Sequence, residues 1–104
     1  MYIDSTSMYI IDIIKKRTVN NPVLSRDIEQ KVGVSGVKVR EVIHKARTEW
    51  DIPICAESKG YFMPINKLEA ERTIRSLKSR AKQLIEASKG IEEHYVKDDQ
   101  MRLL

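Results

Sequence analysis

The chain lacks most of what builds a stapled, metal-bound or membrane-inserted protein. It has one cysteine in 104 residues, Cys55, so an internal disulfide and a paired-cysteine zinc site are both excluded. Its two histidines, His44 and His94, lie far apart, and His44 is read as lacking a carboxylate or cysteine at ligand spacing. His44 is therefore expected at the surface and Cys55 as a small core residue. No apolar run approaches the roughly 18 residues of a membrane span, and no basic, apolar, small-residue leader opens the chain. A soluble protein of a reducing cytoplasm is expected, in a bacterial or phage-infected cell. Phosphate loops, nucleophile elbows and paired-carboxylate motifs are also missing, so the expectation is no enzyme and no cofactor or metal.

What the chain does have is a moderate excess of positive charge, 19 Lys plus Arg against 15 Asp plus Glu, or +4. That balance suits a nucleic-acid partner without establishing one, because solvated surfaces often carry as much. Geometry has to decide.

The most informative stretch runs from Leu24 to Ala46, LSRDIEQKVGVSGVKVREVIHKA. Ser25 stands where an N-cap would, Ile28 and Val32 recur at i and i+4, and Gly33 suits a left-handed helix exit. Val34 follows as a buried anchor and Ser35 as a second N-cap. Val39, Ile43 and Ala46 then share one face of a second helix, with Val42 and Trp50 within about 60° of Val39. Val37, Glu41, His44 and Thr48 point the other way, with Lys38, Arg40 and Lys45 on the flanks. This is a helix-turn-helix, whose second helix has the size to enter a DNA major groove.

The flanks extend the pattern. A first helix is expected from Thr6 or Ser7, with Met8, Ile11 and Ile14 inward, Ile10 and Ile13 widening the stripe, and Lys15, Lys16 and Arg17 at the carboxyl end. Residues Thr18 to Pro22 break it, and Val23–Leu24 allows a very short strand. After Trp50, Asp51 and Pro53 end the third helix. Ile54 to Glu57 and Tyr61 to Met63 then read as two strands around the turn Glu57-Ser58-Lys59-Gly60. Of Tyr61 and Phe62, one should pack inward.

A helical pair followed by a "PI" strand and a "GY" return resembles the winged helix-turn-helix domains at the amino end of biotin repressors. The likeness is carried by Leu24, Val34, Ser35, Val39, Arg40, Ile43, Arg47, Pro53, Ile54, Gly60 and Tyr61, and covers roughly Ser7 to Pro64. It departs at Ala46, where such domains usually carry leucine, and at Glu49-Trp50-Asp51, which replaces the usual glycine turn. The resemblance implies a mainly α fold with a small β-hairpin, and a duplex-DNA partner.

From Asn66 the pattern changes to a heptad-like seam, Ala70, Ile74, Leu77, Ala81, Leu84, Ser88, Ile91 and Tyr95. At about 30 residues, on the order of 45 Å, the helix is longer than the small domain can cover, so a second copy is expected on it. Gly90 weakens its far end. The organisation expected is residues 1–64 as the winged domain, 65–95 as a dimerisation helix with Ile74, Leu77, Ala81, Leu84 and Ile91 in the seam, and 96–104 as a flexible tail. Met101, Leu103 and Leu104 could dock elsewhere.

If DNA is the partner, Ser35 and Gly36 are expected near phosphate at a helix amino end. Lys38, Arg40, Glu41, His44 and Lys45 form the groove-facing set, and Lys59 contacts the backbone or minor groove from the wing. The bland readings are a salt bridge for Glu41 to Lys38, Arg40 or Lys45, a solvated Lys59, and a structural Arg47. The long helix nets +4 between Asn66 and Gly90, as a solvated exterior or a second phosphate-contacting surface. The functional expectation is a homodimeric DNA-binding transcriptional regulator or replication accessory factor. The compact size suggests a phage or mobile-element protein. The alternatives are a winged-helix adaptor for another protein and a nonspecific architectural DNA binder.

Overall fold

The computed structural model describes the backbone of residues 2–103 and the side chains of residues 2–96. In order, the elements are α1 (Ser5–Lys15), α2 (Ser25–Val32), α3 (Gly36–Thr48), β1 (Cys55–Glu57), β2 (Gly60–Phe62) and α4 (Lys67–Leu103). This is a mainly helical winged helix-turn-helix with a two-strand antiparallel hairpin and a long carboxyl-terminal helix. The chain separates into a compact unit reaching Thr73 and a second unit from Ile74 onward. The expected boundary lay at Pro64, whereas the first seven residues of α4 belong with the winged unit.

Helix α1 starts earlier than the hydroxyl residues suggested, because Asp4 is its cap. The Asp4 carboxylate accepts from the Ser7 backbone N–H at 2.8 Å and the Ser7 hydroxyl at 3.0 Å. That second bond lets Ser7 sit buried beside Ile10, Ile11 and Ile14 on the inward stripe. Met8 is not part of that stripe and is 37% exposed, since a stripe through positions 7, 10, 11 and 14 rotates position 8 outward.

Ser25 is not the cap of α2. Leu24, in extended conformation, takes that place without a side-chain bond, and the Ser25 hydroxyl donates to Glu29 Oε2 at 2.9 Å inside the helix. The exit is as expected: Gly33 has φ +79°, and the N–H groups of Gly33 and Val34 both donate to the Glu29 carbonyl. Val34 is half-buried against the core, not fully enclosed. Ser35 caps α3, its hydroxyl accepting from the Lys38 N–H at 3.2 Å.

Ile10, Ile11, Ile14, Val23, Ile28, Val39, Val42, Ile43, Ala46, Trp50 and Ile54 form one buried cluster where α1, α2 and α3 meet the hairpin. The turn after α3 is closed by backbone. Glu49 and Trp50 donate to the Lys45 carbonyl, and Ile52 donates to that of Ala46. Asp51 takes φ +54° at the position where a glycine was missed, a conformation Asp tolerates better than most residues. Arg47 donates from Nε to the Ile54 carbonyl at 2.8 Å, tying α3 to the strand that follows.

The hairpin pairs Cys55 with Phe62, Ala56 with Tyr61 and Glu57 with Gly60, leaving Ser58-Lys59 as a two-residue loop. Val23 adds a single bridge on the far side of β2, exchanging both backbone bonds with Tyr61 at 2.9 and 2.8 Å. This one bridge replaces the short strand expected at Val23–Leu24. Phe62 is wholly buried and Tyr61 packs half-buried against the core. On the outer side of β1, the Thr73 hydroxyl donates to the Ala56 carbonyl at 3.1 Å and accepts from its N–H at 3.2 Å.

Helix α4 continues to Leu103 and passes through Gly90. After Pro64 the stretch contains no proline, and Lys, Arg, Glu, Gln and Leu are good helix formers. Docking by Met101, Leu103 or Leu104 lies outside the described side chains. No described helix is long and apolar enough to cross a membrane.

Gly60 is the most constrained backbone position. It has φ +129°, and a Cβ there would lie 2.3 Å from the Val23 carbonyl oxygen, which is backbone and cannot swing aside. Gly60→Ala should therefore break the Val23–Tyr61 bridge and cost more than about 2 kcal/mol. Urea unfolding followed by Trp50 fluorescence would measure it, and an unchanged midpoint would contradict the constraint.

Candidate nucleic-acid interface

With Val39, Val42, Ile43 and Ala46 buried, the rotational setting of α3 is fixed and its opposite side must face solvent. That side presents Val37, Arg40, Glu41, His44, Lys45 and Thr48, all exposed. Arg40, Glu41, His44 and Lys45 therefore come together as expected. Thr48 turns its hydroxyl back to donate to the His44 carbonyl at 2.8 Å, so it presents mainly its methyl group. Glu41 forms no salt bridge to Lys38, Arg40 or Lys45, which leaves its carboxylate available to an outside donor.

Three expected members sit differently. Lys38 is only half-exposed and acts electrostatically on Asp4, so α1 shares its charge. Ser35 is exposed, but its hydroxyl is occupied in capping. Gly36 is half-buried beneath two side-chain ends: a Cβ built there would lie 3.3 Å from Glu29 Oε2 and 3.4 Å from Arg40 Nη1. The amino end of α3 thus already has a carboxylate beside it, which opposes the phosphate expected there. Arg40 brings compensating positive charge to the same spot.

Lys59 is exposed at the tip of the wing. Of the wing aromatics, Phe62 is wholly buried and Tyr61 is half-buried against the core. A shallow groove of about 210 Å³ lies between the wing and the start of α2, lined by Leu24, Ser25, Ala56, Glu57, Ser58, Gly60 and Tyr61. Among the described residues, no group of three or more His, Cys, Asp and Glu is placed to hold a metal ion.

Sequence reasoning undervalued Val37. It is 58% exposed at the head of the α3 stripe. Its outward place on the helical wheel is the signal for it. The second unit, taken by itself, exposes its seam: Leu84 is 72% and Ile91 62% exposed, with Ile74, Leu77 and Ala81 also open. Ile85, 56% exposed, adds to this face and was not among the expected seam residues.

No family model, no curated protein and no solved structure matches the chain. The functional argument therefore rests on the residues themselves.

Asp4 joins the cap of α1 to the electrostatics of α3. Two bonds from Ser7, backbone first and hydroxyl second, hold its carboxyl below the ordinary value of 3.8, with Lys38 contributing further. A depressed carboxyl stabilises the fold above its unfolded value and loses that contribution as pH falls through its folded value. Asp4→Ala should thus be less stable than wild type at neutral pH, and the two should converge as pH falls through the carboxyl's lowered value. Thermal melts across that range check this; a gap independent of pH would remove the carboxylate from the account.

Proposed function

We propose that this chain binds duplex DNA, inserting the exposed face of α3 in the major groove with Lys59 of the wing against the backbone. The observation that carries the reading is a single solvent-facing stripe on a helix-turn-helix second helix. It holds Arg40, His44 and Lys45 around an unpaired Glu41. Arg and Lys can donate to guanine, Glu can accept from cytosine, and Val37 can pack on thymine, a combination suited to discriminating bases and not only to charge neutralisation. The exposed seam of α4 supports action as a homodimer on inverted half-sites. A sequence-selective transcriptional regulator or replication accessory factor, working without a cofactor, is the function this fits best.

One observation favours a second reading, a winged-helix adaptor for another protein. The Glu29 carboxylate at the amino end of α3 is better suited to a protein surface than to a phosphate.

Binding to sequences selected from a random duplex pool, followed by fluorescence anisotropy, distinguishes the two. Arg40→Ala and Lys45→Ala should each cost about 1–3 kcal/mol on the selected site, with relaxed preference at one base pair. Lys59→Ala should weaken all duplexes alike and lower the salt slope by about one. No binding at low salt, or binding indifferent to salt, would sink the DNA reading and favour the adaptor.

A further inference from the structure

The second unit is a helical segment with an uncovered apolar face and a reversal of charge along its length. Arg75, Lys78, Arg80 and Lys82 fall in its first part, and Glu92, Glu93, Asp98 and Asp99 in its last. The sizes along the seam also alternate. Leu77, Leu84 and Ile91 occupy one set of heptad positions, while the other set holds the small Ala81 and Ser88 between Ile74 and Tyr95.

From these two features we infer that α4 pairs with the α4 of a second copy in antiparallel orientation, about a two-fold axis level with residue 86. The inference deepens the homodimer just proposed, but its chemistry does not depend on DNA.

Parallel pairing in register stacks each heptad position on its own copy. Ala81 would then meet Ala81 and Ser88 meet Ser88, leaving underfilled layers, and the basic stretch would lie beside a second basic stretch. Antiparallel pairing sets one class of seam position against the other. About residue 86, Leu77 meets Tyr95, Ala81 meets Ile91 and Leu84 meets Ser88, so each small residue faces a large one.

The flanking positions favour the same register. Ile85, which the seam alone leaves unexplained, meets its own copy beside the axis, and Lys78 comes within about 3 Å along the axis of Glu92 on the other helix. Shifting by one heptad toward the amino end would instead put Lys78 against Ile85. The register about residue 86 is thus the one that covers Ile85 and pairs opposite charges together.

In this arrangement the two copies of Ile74, the first residue of the segment, are separated by about 24 residues of helix, or roughly 36 Å along the pair. In a parallel pair they would be side by side.

Sedimentation equilibrium of the full chain without DNA, combined with a charge swap, tests the inference. Wild type should dimerise; Lys78→Glu and Glu92→Lys should each weaken the dimer about tenfold at low salt, and the double substitution should restore it to within about threefold. Ile85→Cys should form an intermolecular disulfide on oxidation more readily than Leu84→Cys, Cys55 being buried in both. A monomer at about 100 μM would overturn the pairing. A dimer without charge rescue, or one cross-linked preferentially through position 84, would overturn its orientation. Loss of DNA binding in an intact dimer would bear on the DNA reading alone.

Discussion

The winged unit depends on the burial of one side of α3. Ile10, Ile11 and Ile14 from α1, Ile28 from α2 and Ile54 from the hairpin join Val39, Val42, Ile43 and Ala46 in a single cluster. Close packing leaves that stripe no freedom to rotate, since a shift of one residue would turn a β-branched side chain toward solvent and carry a charge inward. The exposed stripe is the complement of this constraint. Arg40, Glu41, His44 and Lys45 are presented together because the core fixes where α3 cannot face.

The wing is placed by backbone more than by side chains. Asp51 turns the chain through a left-handed conformation, Arg47 holds the Ile54 carbonyl, and Gly60 admits the Val23 carbonyl to within backbone contact of β2. These contacts fix the hairpin relative to α2 and α3, so Lys59 stands on a short, braced loop. The Arg72–Glu57 pair at 3.6 Å adds little, since the Arg72 side chain is largely in solvent.

Much of this was legible in the sequence, for reasons that differ between elements. Periodicity located α2 and α3 because their apolar residues recur with little interruption, and Gly33 and Gly60 marked turns that only a residue without a Cβ enters cheaply. The helix starts were less legible. Capping depends on which polar side chain bends back, so Asp4 was passed over and Ser25 was given a role that Leu24 fills with backbone alone. The place of Met8 was not legible because the apolar residues of α1 allow two overlapping stripes, and the buried Ser7 that decides between them carries no hydrophobic signal. At the candidate interface, the outward direction of Arg40, Glu41, His44 and Lys45 followed from the wheel. The proximity of Lys38 to Asp4 and of Glu29 to Gly36 did not, because each joins residues from different helices.

The bonds between Thr73 and Ala56 have a meaning beyond holding α4 at its start. An edge strand with free N–H and C=O groups is a template on which a foreign strand can grow, and small sheets are vulnerable because they are nearly all edge. In this hairpin Val23 occupies the inner margin, and the hydroxyl of Thr73, at once donor and acceptor, imitates a neighbouring strand on the outer one. The sheet is thereby finished at its middle residue on both sides. A two-stranded sheet closed in this way offers a neighbouring molecule no open ladder at its middle residue.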